Sequence, residues 1–422
     1  MVRLKPRQEI LSLLKDKLDG KVDMSYQDIS RITGYSKRQL IRLSKEIEEK
    51  DIETVLIHGN SGRIAQNTAK DAEIEFYKKL KKQYPNITIA QFKDYVDEDH
   101  LDNPNKLWEV KKYKLVRRSY SFFQKLFKKL KWKSIRKHRN GSSKKVLHLI
   151  REPMPRRGML IQIDGTPLDW FDNGEEYCMH LAVDDATSEI LAGWFTSEEC
   201  QYGYIKIMRL ILEKYGIPLK LYSDKHTIFK TIDGKLTQFA SMMKDLGIEM
   251  IFANSPEAKG RVEKSNDTVQ KRLVNDIRRF KIKNYDELNI WFNDFYIKYL
   301  NEKFARLPKD LNDDFIPMLE NYDYDHLFSW RFERVINSNN MFSFNGYYYA
   351  PYDEETGDII PIRRTVKVAL RQSVETKQVK IYRMNKWYPC KIMGKSSLGK
   401  KNKIVSNQKE LLQELEDIIK IW

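Results

Sequence analysis

Cysteine is scarce in this 422-residue chain: only Cys178, Cys200 and Cys390 occur, widely spaced and with no Cys-x-x-Cys pair. That spacing argues against a disulfide framework or a thiolate zinc site and suits a reducing compartment. Long apolar runs are missing as well. No stretch approaches the roughly 20 residues needed to cross a bilayer. The first residues, Met-Val-Arg-Leu-Lys-Pro-Arg-Gln, have no signal-peptide apolar core, so a cytoplasmic protein with no membrane partner is expected. Acids are missing from one place in particular. Residues 111–157 hold eighteen Lys and Arg against a single acid, Glu152, which accounts for the whole net charge of +17. A solvated face normally mixes signs, so a basic surplus this concentrated reads as a polyanion-binding segment.

What is present sets the scale. A chain of this length exceeds one ordinary core, and two to four domains are expected. With 41% hydrophobic and 12% aromatic residues it has enough apolar surface to bury them.

The first part reads as helical. Ile10, Leu11, Leu13 and Leu14 form an apolar face. Ser25 to Asp28 reads as a cap-like start, Thr33-Gly34-Tyr35 as a turn, and Ser36-Lys-Arg-Gln39 as a capping box opening a second helix. Two short helices around a Gly-containing turn predict a helix-turn-helix domain at 1–55. Lys37, Arg38 and Arg42 stand where a recognition helix meets DNA. The polar His58-Gly-Asn-Ser-Gly-Arg63 stretch reads as a linker. A second helix-turn-helix domain is expected at 70–135. In it Thr88 caps one helix, and Ser121-Phe-Phe-Gln124 caps another that carries Lys125, Lys128 and Lys129. Such lysines supply phosphate affinity more than base reading. Residues 136–157 form a basic linker.

From 158 the pattern changes to strands and helices. Strands are expected at 159–164, 177–183 and 190–195, a helix at 202–215, a strand at 219–223, a helix at 236–246 ended by Gly247, a strand at 248–252, and then a helix containing Glu263. Three adjacent strands followed by helix, strand, helix, strand, helix is the order of an RNase H-like core with a mixed five-stranded sheet, placed at 158–300. A helical connection follows at 301–332. Asn345-Gly346 between apolar runs is a strong hairpin signal, and 333–394 reads as a small β-barrel. A basic spacer and an amphipathic helix close the chain at 395–422.

Three acids stand out in the core. Asp164 closes one apolar run and Asp224 another, and Glu263 lies on the following helix with 38 residues between it and Asp224. Aspartates at strand ends bring short, stiff ligands to one sheet edge, and a helical glutamate reaches in from the side. This is a way to hold two Mg²⁺ ions on one phosphodiester, with Mn²⁺ as a substitute: Asp164 bridging, Asp224 and Glu263 each holding one. Taken singly, an aspartate at a strand end is commonly a turn or cap residue. Asp184 and Asp185, in Val-Asp-Asp-Ala-Thr, read as a hairpin turn outside the catalytic set, and Asp169 as a capping or orienting residue.

Longer motifs surround these acids: Gln162-Ile-Asp-Gly-Thr-Pro-Leu-Asp-Trp-Phe171, Val183-Asp-Asp-Ala-Thr187, Leu221-Tyr-Ser-Asp-Lys-His226 and Phe252-Ala-Asn-Ser-Pro-Glu-Ala-Lys-Gly-Arg-Val-Glu263. With them the chain resembles bacterial insertion-sequence DDE transposases of the ISNCY group, which have an integrase-type catalytic core. The resemblance implies that Asp164, Asp224 and Glu263 are the metal-binding catalytic triad for Mg²⁺-dependent DNA nicking and joining. It further implies that the N-terminal helical units bind the element's terminal inverted repeats, that target DNA is the second substrate, that the protein assembles as a homo-oligomer on paired ends, and that it works in the bacterial cytoplasm or nucleoid. Lys259 and Arg261 are then candidates to clamp a phosphate or to pair with Glu263. Trp170 and His226 are candidates to contact DNA ends, with packing an equal explanation. A nuclease of the same fold and a DNA-binding regulator without activity are the rival readings.

Overall fold

The computed structural model describes residues 7–56, 68–134, 151–224, 228–229, 236–252 and 260–395. Two compact units are distinguished, 1–79 with 108–115, and 80–107 with 116–422.

The first unit is helical. Helices α1 (Arg7–Leu18), α2 (Tyr26–Thr33), α3 (Lys37–Glu49) and α4 (Ile52–Leu56) enclose a small core of Ile10, Leu11, Leu14, Ile29, Leu40, Leu43 and Val55. The expected caps form: Ser25 accepts from the Asp28 amide, and Ser36 and Gln39 make a reciprocal capping box. Gly34 ends α2 at φ +78°, a left-handed position that suits glycine. Helix α5 (Asp71–Gln83) runs across the boundary between the units.

The second unit begins with α6 (Ile89–Val96), capped by Thr88, which a π-helical turn extends through Asp97–Leu101. Helix α7 (Leu107–Tyr113) falls mostly in the first unit, and α8 (Tyr120–Lys129) returns to the second. The cap of α8 is Ser119, which accepts from the Phe122 amide, and not the expected Ser121. Starting there turns Phe123, Leu126 and Phe127 inward together, at the spacing of one helix face.

The central sheet comprises β1 (Ile161–Leu168), β2 (Tyr177–Asp184), β3 (Ile190–Thr196), β4 (Lys220–Ser223) and β5 (Glu249–Phe252), with α9 (Gln201–Lys214) and α10 (Gln238–Asp245) in the crossovers. The strand order is β3-β2-β1-β4-β5; the first three strands are antiparallel and β4 and β5 run parallel to β1. This is the mixed five-stranded sheet expected from the sequence. One expectation needs correction: β1 does not stop at Asp164 but runs four residues further, because β2 pairs with it as far as Leu168 opposite Tyr177. On its other side, β1 pairs with β4 only at Ile161 and Gln162.

Alternation along β1 gives the sheet two faces. Ile161 and Ile163 enter a core with α9 and α10, built from Tyr204, Ile205, Met208, Ile211, Phe239 and Met242. The opposite face packs on α11 (Gly260–Phe280), α12 (Tyr285–Trp291) and α13 (Ile297–Phe304) through Met179, Leu181, Val183, Val262, Val269, Leu273 and Phe292. Helix α6 lies against the outer side of α11. There Gln91 donates to the Arg272 carbonyl (2.8 Å), and Tyr95 and Tyr296 both donate to the buried Asp276 carboxylate (2.5 and 2.6 Å).

After α14 (Tyr324–Leu327), six antiparallel strands follow: β6 (Ser329–Val335), β7 (Phe342–Phe344), β8 (Tyr347–Pro351), β9 (Lys367–Ser373), β10 (Val379–Arg383) and β11 (Lys386–Lys395). Their order is β6-β9-β10-β11-β8-β7. The edge strands curl together, with the Phe332 and Phe344 rings 4.9 Å apart, so the sheet is nearly closed and barrel-like. Asn345 (φ +44°) and Gly346 (φ +79°) turn the β7–β8 hairpin as its sequence predicts. The expected helix at 411–419 lies outside the described residues.

Candidate active site

The first two acids belong to neighbouring strands, Asp164 on β1 and Asp224 just after β4. Ile161 is level with Leu221 and Gln162 with Tyr222 on the parallel neighbour. The pairing of β1 with β4 ends there; Asp164 lies two residues further along β1, and Asp224 directly follows Ser223, the last residue of β4. Asp164 and Asp224 are both half-buried.

The third acid arrives on α11. The first turn of a helix has backbone amides without partners inside the helix. Here the Val262 amide is taken up by Gln162 Oε1 at 3.1 Å, from a side chain fully buried on β1. One turn on, Asn266 Nδ2 donates to Asp164 Oδ2 at 2.8 Å. Glu263 sits between these anchors, three residues before Asn266 on the same helix face, and is exposed. Asn266 Oδ1 is buried and has no hydrogen-bond partner among the described residues.

Among the described residues, no group of three or more His, Cys, Asp or Glu side chains is placed to hold a metal ion. Asp164 thus lies on β1 and Asp224 just after its parallel neighbour, while Glu263 is exposed on a helix anchored to β1.

On the α9 face of β1, a fourth carboxylate covers the residue after Asp164. A Cβ built on Gly165 would meet Glu199 Cδ at 2.6 Å, so a side chain there would have to displace the Glu199 carboxylate. Tyr204 holds Glu199 in place by donating to its Oε1 at 2.6 Å. Nearby, burial pushes the Cys178 thiol up to about 12, with the Glu199 charge adding to the effect, so this thiol is inert.

The hairpin acids are more than a turn. Asp184 and Asp185 are both fully buried. Asp184 accepts from the Gly158 amide and from the amide and hydroxyl of Thr187, while burial raises its carboxyl. Asp185 binds Arg151, Arg261, Gln162 and the Met154 amide. Asp169 behaves as expected: it accepts from the Gly174 and Asn173 amides, which hold its carboxyl below the usual range.

Two expected DNA contacts are accounted for otherwise. Trp170 is fully buried, donates to the Tyr177 carbonyl (2.7 Å) and packs edge-on to Phe195, so its ring has no face open to a DNA end. Arg261 is committed to Asp185 at 3.0 Å. His226 and Lys259 lie outside the described residues. Lys37, Arg38 and Arg42 are exposed on α3, and Lys125, Lys128 and Lys129 on α8; Arg42 stands 3.6 Å from Glu46.

Sequence reasoning missed Gln162, Asn266, Asp185 and Glu199. Two of them carried a signal. Gln162 is a polar residue inside an apolar run, two before Asp164 and so on the same sheet face. Asn266 is one helical turn after Glu263. Asp185 and Glu199 had none, because their partners are distant in sequence.

No family model matches the chain. Over 236 residues it is 34% identical to the transposase for insertion sequence IS1202 of Streptococcus pneumoniae, covering 54% of this chain and 50% of that protein. Over 181 residues it is 36% identical to y4bF of Sinorhizobium fredii, which also carries a transposase name, covering 40% and 39%. The chain is similar to insertion-sequence transposases. It spans about half the length, or less, of these curated relatives. Among solved structures, the HTLV-2 integrase catalytic core domain in complex with magnesium aligns with 32% of this chain and 86% of its own, at 19% identity and a TM-score of 0.25. A simian T-cell lymphotropic virus intasome aligns with 58% and 84%, at 13% identity and a TM-score of 0.29. At such scores the superpositions do not bear on how this chain folds or acts. No described helix is long and apolar enough to cross a membrane.

Proposed function

We propose that the chain is a DDE transposase of the bacterial cytoplasm that binds the terminal inverted repeats of an insertion sequence, cleaves DNA strands there and joins them to target DNA. The observation that supports this reading best is the placement of Asp164 on β1 and of Asp224 just after β4, its parallel neighbour, with the first turn of α11, which carries Glu263, tied to β1 by Gln162 and Asn266. The transposase names of the two curated relatives support it.

Asp164, Asp224 and Glu263 would hold two magnesium ions, or manganese in their place, which when bound polarise the scissile phosphate and activate the attacking water. The donor set fits: hard carboxylate oxygens, with the orphan amide oxygen of Asn266 as an acceptor for a hydrated cation. Magnesium sites commonly use one or two carboxylates plus substrate phosphate, so an open arrangement suits them. Asn266 orients the Asp164 carboxylate, and the buried Gln162 holds the first turn of α11 at a fixed distance from it. In this reading α2 and α3 form a helix-turn-helix that presents Lys37, Arg38 and Arg42 to the element end, and Lys125, Lys128 and Lys129 bind backbone phosphates. His226 and Lys259, next to the carboxylates in sequence, would contact the DNA ends. Two or more copies would act on paired ends.

The test uses labelled duplex carrying the element's end, incubated with Mg²⁺ or Ca²⁺, with wild-type protein and Asp164→Asn. Mg²⁺-dependent nicks and joined products, both lost in the variant while binding persists, support the proposal. Nicks that never join point to a nuclease, and binding without cleavage in any metal overturns both enzymatic readings.

A further inference from the structure

We propose that Asp185, on the turn between β2 and β3, is the positioning residue that fixes the first turn of α11, and with it Glu263, against β1. The inference rests on the reading of Glu263 given above and adds a role to a residue outside the triad.

Asp185 is fully buried, and all its partners lie at the site's edge. Oδ1 accepts from Gln162 Nε2 (2.6 Å), from Arg261 Nη1 (3.0 Å) and from Arg151. Oδ2 accepts from the Met154 amide (2.8 Å). Gln162 is thereby oriented. With its Nε2 committed to Asp185, its Oε1 points the other way and accepts the Val262 amide. Arg261 and Val262 are consecutive residues of the first turn of α11, and Glu263 follows them. One carboxylate thus holds that turn by two routes, directly through Arg261 and indirectly through Gln162. Gln162 also sits two residues before Asp164 on the same strand face, so both routes are referenced to the strand that carries the first catalytic acid.

The arrangement has the features of a device that sets geometry. A buried carboxylate needs its partners: two arginines compensate its charge, and the amide groups complete its hydrogen bonds. Its bonds to Arg151 and Met154 also tie down the chain that leads into β1. The last part of the basic stretch and the helix bearing Glu263 therefore share one anchor. Supporting residues of this kind are costly to lose because small displacements of reacting groups cost rate steeply.

Asp185→Asn keeps the volume and one acceptor oxygen but removes the charge that binds both arginines. Two readouts are paired. The first is amide hydrogen exchange on the full chain. Protection at 261–264 is expected to fall about tenfold or more, while protection at 273–277 and in β2 and β3 stays at wild-type level. A uniform fall across the sheet and helix would show a merely structural role and overturn the proposal, as would unchanged protection at 261–264. The second is Mg²⁺-dependent nicking. The maximal rate is expected to drop on the order of a hundredfold, with the KM for DNA little changed. Gln162→Leu combined with Asp185→Asn is expected to cost little more than the worse single change, since both act on one turn. Fully additive losses would overturn the linkage. If wild-type protein fails to nick in any metal, the catalytic reading falls, and the exchange pattern still decides whether Asp185 positions α11.

Discussion

The two ends of α11 handle their carboxylates in opposite ways. At the far end, Asp276 is buried and fully engaged: Tyr95 and Tyr296 donate to its two oxygens, and Arg279 lies 3.8 Å away while also binding Asp99. Burial pushes the Asp276 carboxyl up, against the pull of the tyrosine hydrogen bonds. Burial and the Asp276 charge push both tyrosine hydroxyls up in turn, so they remain donors. At the near end the anchors are just as specific, but the carboxylate between them, Glu263, is exposed. Asn266 keeps a buried oxygen without a partner among the described residues. Arg272 and Arg279 also keep a buried guanidinium nitrogen without a partner among the described residues, so the contrast rests on the carboxylates: one helix buries Asp276 at its far end and exposes Glu263 at its near end.

Four measurements would break or sharpen that contrast. Asp164→Asn is expected to lower Mg²⁺-dependent nicking on the order of a thousandfold, several kcal/mol of transition-state stabilisation, with the urea midpoint unchanged. A large loss of stability instead would mean that the near end is structural too. Asp276→Ala should do the reverse. It strands two tyrosine hydroxyls and part of the charge of Arg279, and should cost roughly 3–5 kcal/mol in urea unfolding; a stable variant would remove the distinction between the two ends.

Acid should strike at neither end first. His180 is fully buried under α9, where its Nε2 accepts from the Cys200 amide and its Nδ1 faces the Trp194 carbonyl, both at 3.2 Å. Burial lowers its pKa from 6.5 to about 4. The folded state therefore resists a proton that the unfolded chain accepts. The stability this contributes is complete above pH 6.5 and is lost as pH falls towards 4, roughly 3 kcal/mol in all. Unfolding titrations of wild type and His180→Gln should differ in slope over that window, and equal slopes would remove His180 from the account. The smallest effect is expected for Asn266→Ala: a loss of 10–100-fold or so in activity or apparent metal affinity, as for groups that orient a ligand. Near wild-type values would deny the orphan oxygen a role.

Much of this was legible in the sequence, for identifiable reasons. The five strands could be placed because their apolar residues alternate or run together between turn signals, and the caps at Ser25, Ser36 and Thr88 because a hydroxyl three residues before an amide is a local geometry. The extent of β1 was not legible. The apolar run ends at Ile163, but beyond Gln162 the strand is paired with β2 alone, and Pro167 is tolerated on such an edge. The three acids stood out because two of them close apolar runs and the third lies on the helix-like stretch that follows. The residues that orient them did not. Asp185 meets Arg261 across 76 positions of chain, and Gln162 meets Val262 across 100. The packing of Trp170 could not be read from sequence either; it lies just after β1, where alternation no longer says which way a side chain turns.

The docking of α6 on α11 limits how this protein could be recombined. Asp94 binds Arg272 and Lys303, and Glu98 and Asp99 bind Arg279, so residues 80–107 belong to the same compact unit as the sheet. A chimera that exchanges 70–135 as a cassette would import acids matched to another helix and strand these arginines. A junction placed before Leu80 would leave the pairs intact. Donor and recipient would then have to agree on only one short stretch, and the first helices could be exchanged without touching the helix that carries Glu263.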